Sequence, residues 1–335
     1  MSPLTDLEAG ERAVSSPRIR VGDAAGIDDA MAALRAGGLI GLPTETVYGL
    51  AGDALDPTAV RRIFAAKGRP ADNPLIVHVP GAEALDGLVT AVTPLARELG
   101  ATYWPGPLTL VLDAGPQVPA ITRGGLTTVA VRVPDHPVAL TLLERLDRPL
   151  AAPSANRSSR PSPTRPEHVL AELGAQVALV LDGGPCVIGV ESTVVDARGD
   201  RPIVLREGAV TREELGVGNE EGRAESGRSP GTRYRHYAPR CRVDLVGPGA
   251  LGPAVADHLE RGLRVGVLAY RTSIAGLDPT VEIVATFGDE VDLARALYGA
   301  LVDAEQAEVD VLVVESVPER GVGRAVMDRL RRAAE

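Results

Sequence analysis

The stretch TTVAVRVPDHPVALTLLERL, residues 127–146, joins a β-branched run to an apolar pattern of helical period. Alternating valines predict a strand at residues 127–133, and apolar residues at three- and four-residue spacing predict a helix at 136–146. Outward from this stretch the same alternation predicts strands at residues 38–42, 74–79, 108–112 and 177–182 and helices at residues 28–37, 57–68 and 92–103. Such alternation defines an α/β fold. Some predicted strands are too close for a helical crossover, so we expect a mixed sheet.

The chain has 335 residues, which is enough for two domains of about 100–200 residues each. The segment EELGVGNEEGRAESGRSPGTRYRHYAPR, rich in glycine and charge, interrupts the α/β pattern and has no apolar period. We therefore predict a disordered leader, a large α/β domain, a linker that forms an active-site loop, and a smaller α/β domain, at residues 1–17, 18–212, 213–241 and 242–335.

The composition excludes several classes of protein. The 35 basic and 45 acidic residues give a formal charge of −10, which argues against a general nucleic-acid or membrane-surface binder. No run approaches the ~18 apolar residues of a membrane helix, and the first residues do not resemble a signal peptide. Two cysteines, Cys186 and Cys241, cannot form a disulfide framework. We therefore expect a reducing, cytoplasmic location.

Lysine occurs once, at Lys67, in a chain otherwise rich in arginine. Lys67 and Arg69 follow a predicted helix in the string AAKGRPADNPLIVH (65–78). Two interpretations are open: a phosphate clamp made of two cations, or a basic last turn that interacts favourably with the helix dipole. The use of a compact ammonium where the chain otherwise uses arginine favours the clamp.

A charged residue also interrupts a predicted strand. Arg132 lies among valines, where burying a charge is costly unless a counter-charge is close. No acidic residue is near it in the sequence, so its partner is either an anionic group of a ligand or a distant aspartate or glutamate. His78, at the end of another predicted strand, fits a buried core histidine better than a catalytic one.

Other polar strings supply hydroxyl, amide and further cationic groups that suit an anionic ligand. They are LPTETVYGLAGD (42–53), PLAAPSANRSSRPSPT (149–164), VESTVVD (190–196) and VLREGAV (204–210). The sequence has no G-x-x-x-x-G-K-[ST], G-x-S-x-G or H-E-x-x-H motif. These groups favour phosphoryl or nucleotidyl transfer, in which catalysis rests mostly on positioning and charge neutralisation.

In chain order, the strings PTETVYGL, KGRPADNPLIVH, WPGPLTLVL, AVRVPDHP, PSANRSSRPSPT, ESTVVD, LREGAV and SPGTRYRHYAP resemble the two-domain L-threonylcarbamoyladenylate synthases of the YrdC-like family. The resemblance covers residues 40–240 and rests on domain layout beyond 242. It implies a twisted, mixed YrdC-like sheet with helices, joined by the linker to a smaller Rossmann-like α/β domain. It also implies a reaction of L-threonine, bicarbonate and ATP that gives threonylcarbamoyl-AMP and pyrophosphate, for threonylcarbamoyladenosine formation in tRNA.

The resemblance also implies a role for individual residues. The K-x-R and S-x-N signature, which holds the ATP phosphates and the adenylate, falls on the expected catalytic residues Lys67, Arg69, Ser154 and Asn156. Threonine is expected to contact Thr46, His78, Arg132 and Ser192, with Arg132 binding the carboxylate. Further ATP contacts are implied at Asn73, Thr128, Ala152, Ser162, Arg206, Tyr234 and His236, the last two on a linker that folds over the active site.

The implied partners are the three substrates and the downstream tRNA threonylcarbamoyltransferase machinery, with no membrane and no strong direct nucleic-acid binding. Mg²⁺ is expected to be carried by the ATP phosphates, because no carboxylate cluster for a protein-held metal is apparent in the sequence.

The chain departs from the family pattern at three places. Ala51 replaces a usual glycine, which is tolerated if its φ is negative. Ser159 replaces a common glycine after the S-x-N signature, which puts the turn of that loop in doubt. Thr232 and Arg233 replace a Met-Lys pair in the linker.

Two other functions stay open from the sequence. An RNA-binding surface is suggested by six arginines in or beside the linker, interleaved with Tyr234 and Tyr237: Arg223, Arg228, Arg233, Arg235, Arg240 and Arg242. Salt-dependent tRNA binding without ATP- and threonine-dependent pyrophosphate release would favour it. A carbamoyltransferase with a YrdC-like domain is disfavoured, because such relatives carry zinc fingers, for which this chain has too few cysteines.

Overall fold

The structure is a computed structural model that describes residues 18–218 and 237–335. Its strands are β1 (Arg18–Val21), β2 (Ile40–Leu42), β3 (Gly49–Asp53), β4 (Ile76–His78), β5 (Leu108–Asp113), β6 (Thr128–Arg132), β7 (Leu150–Ala151), β8 (Leu179–Asp182), β9 (Thr193–Asp196), β10 (Ile203–Arg206), β11 (Arg242–Val246), β12 (Val265–Tyr270), β13 (Glu282–Phe287) and β14 (Val311–Glu315). Its α-helices are α1 (Ala24–Arg35), α2 (Pro57–Lys67), α3 (Pro94–Tyr103), α4 (Pro137–Leu146), α5 (Pro166–Leu173), α6 (Leu251–Glu260), α7 (Glu290–Gln306) and α8 (Gly323–Ala334).

Strands β1 to β10 form one sheet in the order β1-β8-β2-β3-β7-β4-β6-β5-β9-β10. Strands β4 and β6 are parallel, as are β5 and β9, whereas β5 and β6 are antiparallel. The mixed α/β fold expected from the sequence is confirmed. Because of these directions, the carboxyl ends of β4 and β6 lie next to the amino ends of β5 and β9, on the same side of the sheet.

Local sequence explains where helix α2 begins and ends. The side chain of Asp56 accepts a hydrogen bond from the Thr58 N–H at 2.8 Å, and Pro57 occupies the first helical position. Gly68 ends the helix with a φ of 59°, a left-handed conformation that glycine adopts at little cost. These two signals make Lys67 the last helical residue and place Arg69 in the loop that leads to β4.

Apolar side chains fill both faces of this sheet. Leu108, Leu110 and Leu112 alternate along β5 into a core that also contains Ile63 and Phe64 of α2. A separate apolar cluster packs α1 and α4 on the opposite face, against β2, β3, β7 and β8. The core thus holds the strands in place and leaves the polar residues at the strand ends to form a site.

Strands β11 to β14 form a second, fully parallel sheet in the order β11-β14-β12-β13. Helix α7 packs on it through Leu293, Leu297 and Leu301, each fully buried at the four-residue spacing seen in the sequence. We call residues 242–335 the second domain and the part before residue 213 the first domain. The domain limits stay predictions, because residues 1–17 and 219–236 lie outside the described ranges. None of the described helices is long and apolar enough to cross a bilayer.

Candidate active site

A cleft opens at the carboxyl ends of strands β4 and β6. His78 and Arg132 are direct neighbours there, since their Cα positions are paired across these strands. The sequence-predicted residues that line the cleft are Thr46, Arg69, His78, Arg132, Ala152, Ser154, Ser192 and Arg206. Residues far apart in the sequence, from both the expected threonine and the expected ATP contacts, are thus brought together.

Arg132 is buried and held by three groups of the protein. Its Nη2 lies 2.6 Å from Oε1 of Glu45, and the two side chains are 5% and 4% exposed. Its Nη1 donates to Thr46 Oγ1 at 2.9 Å, and its Nε donates to the Gly106 carbonyl at 3.2 Å. Of the two partners considered from the sequence, a distant acid is the one observed. The role of Arg132 toward threonine stays a prediction.

Lys67 lies beneath the cleft and does not line it. Its side chain is 3% exposed, and Nζ donates to the carbonyl oxygens of Ser154 and Asn156. Burial lowers the pKa of Lys67 well below its usual value, and the charge of Arg69 lowers it further. Lys67 therefore ties the end of α2 to the S-x-N loop, the segment of residues 152–160.

The S-x-N loop is folded onto itself. The side-chain amide of Asn156 donates to the carbonyl oxygens of Arg157 and Arg160, each at 2.8 Å. Ser159 has a φ of 76°, so it makes the left-handed turn that a glycine would make. Ala51, by contrast, lies within β3 and has a negative φ, which explains why an alanine is tolerated there.

Ser159→Gly is expected to raise the free energy of unfolding by about 0.5 kcal/mol, because relief of the left-handed strain exceeds the added entropy of the unfolded chain. Ser158→Gly is the matched control in the same loop. Ser158 has no positive φ, so glycine there should lower the stability by about 0.5–1 kcal/mol. Urea unfolding measures both changes. A loss of stability in Ser159→Gly equal to that of Ser158→Gly would contradict the strain argument.

Arg206 and Ser192 form the opposite wall of the cleft. Nη2 of Arg206 donates to the Ser192 carbonyl at 2.8 Å and to Ser192 Oγ at 3.1 Å, and Ser192 Oγ lies 2.8 Å from Thr109 Oγ1. Gly208 allows this approach, since a Cβ there would lie 2.3 Å from the Thr193 nitrogen. Burial lowers the pKa of Arg206, and the charge of Glu191 opposes that effect.

Besides Lys67, four predicted contacts are not at the cleft wall. Asn73 is buried, and its carbonyl accepts from Arg69 Nε at 3.3 Å, so it supports Arg69. Ser162 donates to Glu191 Oε1 at 2.8 Å. The side chain of Asn156 binds carbonyls of its own S-x-N loop, and Thr128, at the opposite end of β6 from Arg132, lines a different cavity. Tyr234 and His236, as well as Thr232 and Arg233, lie outside the described residues.

Three residues of this region were not predicted as site residues from the sequence. Glu191 and Tyr237 line the cleft, and Glu45 is the partner of Arg132. Each glutamate is next to a hydroxyl residue that had been singled out, Glu45 in PTETVYGL and Glu191 in VESTVVD. An acid in such an apolar and hydroxyl-rich string was the available signal, since a buried carboxylate needs a buried cation.

His78 is uncharged in the folded protein. It is 2% exposed, and burial lowers its pKa to about 3, with the charge of Arg132 acting in the same direction. Its Nδ1 lies 3.3 Å from the Ile76 carbonyl. A neutral imidazole next to Arg132 can accept or donate a hydrogen bond to a ligand without adding charge to the cleft.

The pKa of His78 predicts how stability depends on pH. Because the unfolded chain binds this proton near pH 6.5 and the folded one only near pH 3, stability is complete above pH 6.5 and falls as the pH drops towards 3. Between these two pKa values His78 contributes a change of about 1.4 kcal/mol in the free energy of unfolding per pH unit. His78→Gln should reduce the slope by close to one proton, measured by urea unfolding from pH 7 to pH 4. Burial also lowers the pKa of His168, to about 4, so His168 should still contribute to the pH dependence of stability in this variant. An unchanged slope in His78→Gln would refute the assignment to His78.

The mixed sheet, with an arginine-lined cleft at its strand ends, and the second, parallel sheet define a two-domain α/β protein. The family model Sua5_yciO_yrdC, described as "Telomere recombination", matches residues 32–208. The model Sua5_C, described as "Threonylcarbamoyl-AMP synthase, C-terminal domain", matches residues 204–335. The chain therefore belongs to the Sua5/YrdC family, in its two-domain form.

Relatives of known name agree over most of their length. The threonylcarbamoyl-AMP synthase of Pyrococcus abyssi is 44% identical over 317 residues, covering 90% of this chain and 92% of that protein. The threonylcarbamoyl-AMP synthase of Bacillus subtilis is 41% identical over 323 residues, with 92% of each chain covered. The crystal structure of P. abyssi Sua5 complexed with L-threonine has a TM-score of 0.86 and 41% identity, and covers 95% of this chain and 96% of that one. The family predicted from the sequence is confirmed.

Proposed function

We propose that this chain is a threonylcarbamoyl-AMP synthase, which converts L-threonine, bicarbonate and ATP to threonylcarbamoyl-AMP and pyrophosphate. The observation that carries the proposal is the grouping of Arg69, Arg132 and Arg206 around one cleft in a chain of net charge −10. Guanidinium groups suit carboxylates and phosphates. The names of the full-length relatives, and the complex of P. abyssi Sua5 with L-threonine, support the substrates.

Threonine is proposed to bind at the Arg132 side of the cleft. Arg132 is held by Glu45, Thr46 and Gly106, so its guanidinium is oriented before the substrate arrives. Such preorganisation lowers the cost of ordering on binding. The uncharged His78 beside it leaves Arg132 as the cation that attracts the carboxylate.

ATP is proposed to bind along the S-x-N loop between Arg69 and Arg206. Lys67 does not contact ATP in this proposal. It binds the carbonyls of Ser154 and Asn156 from beneath the cleft and thereby orients the face of the loop that lines the cleft. The amine of threonine adds to the carbon of bicarbonate with loss of water, which gives an N-carboxylate. An oxygen of that group then bonds to the α-phosphorus while the bond to the leaving pyrophosphate breaks, and the arginines stabilise the developing charge.

Mg²⁺ is proposed to enter with the ATP phosphates. Glu191 lines the cleft, but its oxygens already accept hydrogen bonds from Ser162, Tyr298 and Arg329. Within residues 18–218 and 237–335, no group of three His, Cys, Asp or Glu side chains is arranged to hold a metal ion. The product would pass to the tRNA threonylcarbamoyltransferase machinery, and the free thiols of Cys186 and Cys241 suit a reducing cytoplasm.

The test is a pyrophosphate-release assay in which threonine and then bicarbonate are omitted. Release that requires both, together with a product of the mass of threonylcarbamoyl-AMP, is expected. Pyrophosphate release that is independent of threonine would refute the proposal. So would salt-dependent binding of tRNA in the absence of any release, which would instead favour an RNA-binding protein.

A further inference from the structure

The second domain packs directly on the loop of residues 187–191, which leads into the cleft. Nε of Arg295, on α7, donates to the Val187 carbonyl at 3.0 Å. Gly189 has a φ of 84°, and a Cβ there would lie 2.4 Å from the Ala294 carbonyl of the same helix. Only glycine fits this contact, so the loop and α7 form one tightly packed unit.

Glu191, at the end of this loop, is bound mainly by the second domain. The hydroxyl of Tyr298, on α7, lies 2.9 Å from each carboxylate oxygen, and Nε of Arg329, on α8, donates to Oε2 at 3.1 Å. Ser162 supplies the remaining donor from the first domain. Arg329 is 1% exposed and Glu191 is 6% exposed, so this ion pair is shielded from water.

The same contacts extend to the cleft wall. Glu191 and Ser192 are adjacent in the chain and both line the cleft, and Ser192 is bound by Arg206. Tyr237, another lining residue, has its ring centroid 5.4 Å from that of Tyr298 and 5.8 Å from Cζ of Arg329. Any displacement of Glu191 would therefore move groups that line the cleft.

We propose that Arg329 and Tyr298 are positioning residues for the active site: they hold the Glu191 carboxylate and thereby set the positions of Ser192, Arg206 and Tyr237. The second domain thus supports one wall of the cleft of the first. This inference rests on the proposed function, because its main effect is measured in that reaction.

The charge state of Glu191 supplies a specific signature. The groups that face it are Arg329 on α8, Tyr298 on α7, Arg206 on β10, Ser162 and Tyr237. Burial raises the pKa of Glu191, but the charges of Arg329 and Arg206 lower it more, to about 2. Loss of Arg329 removes the first of these cations, so the pKa of the carboxylate rises towards that of an uncompensated buried acid.

The experiment compares Arg329→Met with Arg331→Met on the same helix. Arg331 is half-exposed and pairs with Glu319 at the surface, so its variant should behave as wild type. Arg329→Met should raise the KM for threonine and lower kcat/KM about 10-fold at pH 7. In this variant kcat/KM should also fall at acidic pH, where Glu191 is protonated, and recover as the pH rises and Glu191 ionises. We call this fall the acidic limb of the pH profile. Arg329→Lys keeps a cation near Glu191 and should remove that limb.

Two further variants keep the test decisive if Arg329→Met unfolds. Tyr298→Phe removes one hydroxyl from Glu191 and should raise the KM for threonine about threefold with the fold intact. In Glu191→Gln/Arg329→Met the acidic limb should be absent, since the titrating group is gone. A wild-type KM and pH profile in both Arg329→Met and Tyr298→Phe would overturn the inference. So would a fall in kcat that only follows the folded fraction.

Hydrogen exchange separates this inference from the proposed function. Amides of residues 187–193 should exchange faster in Arg329→Met than in Arg331→Met, whatever reaction the cleft catalyses. If exchange is faster in Arg329→Met but the wild-type protein releases no threonine-dependent pyrophosphate, the positioning role is supported and the proposed function is rejected. Equal exchange in the two variants, with wild-type kinetics, would reject the positioning role and keep the function.

Discussion

Lys67→Ala is expected to lower threonine-dependent pyrophosphate release by about 100-fold or more while the chain stays folded. The substitution removes the ammonium that holds the carbonyls of Ser154 and Asn156. Without it the S-x-N loop loses the orientation proposed for binding the phosphates, and two buried acceptors lose their donor. Initial rates at saturating substrates, with circular dichroism as the check on folding, measure the effect.

Arg61→Ala is the matched control for Lys67, because Arg61 lies on the same helix with its side chain exposed. Its rate should stay within about twofold of wild type. Lys67→Arg should not restore the rate, since a planar guanidinium does not fit a buried site shaped for a compact ammonium. Turnover like that of wild type in Lys67→Ala would rule out the proposed role of Lys67.

Arg132→Gln is expected to destabilise the protein by about 3–5 kcal/mol, because it leaves Glu45 buried without its counter-charge. The same substitution should abolish measurable threonine binding, since it removes the cation proposed for the carboxylate. Urea unfolding gives the stability, and titration calorimetry with L-threonine gives the binding.

The double variant Glu45→Gln/Arg132→Gln separates these two effects. Removing both charges eliminates the uncompensated ion, so most of the lost stability should return. Threonine binding should stay absent, because no cation is restored. If the double variant bound threonine as wild type does, Arg132 would not be the carboxylate site. If it were as unstable as the single variant, the ion pair would not explain the loss.

Much of the fold follows from short-range patterns in the sequence. The strand and helix predicted at 127–133 and 136–146 are observed as Thr128–Arg132 and Pro137–Leu146. Period-two valines, period-four leucines and the Asp56-Pro57 cap all depend on neighbours a few residues apart. Such signals are readable from one chain, which is why the α/β class and the motifs that indicate the family were accessible.

The pairs that define the site's electrostatics could not be read in the same way. Glu45 and Arg132, like Glu191 and Arg329, are far apart in the sequence and meet only through sheet order and domain packing. The same applies to Lys67. That it is the only lysine of the chain suggested a clamp, but only the structure shows that its Nζ contacts the carbonyls of Ser154 and Asn156. The sequence marks Ser159 as a departure at a glycine position, but only its φ of 76° shows that the loop keeps the left-handed turn.

The buried pair of Glu191 and Arg329 limits how the two domains can be recombined. A chimera that joined this first domain to a second domain without an arginine facing Glu191 would bury a carboxylate with its main counter-ion missing, at a cost comparable to that of breaking any buried ion pair. Gly189 adds a steric condition, because the backbone of helix α7 packs against it at a distance that leaves no room for a side chain. The two domains of this chain are therefore constrained to change together, and exchange of either one alone requires a compensating substitution in the other.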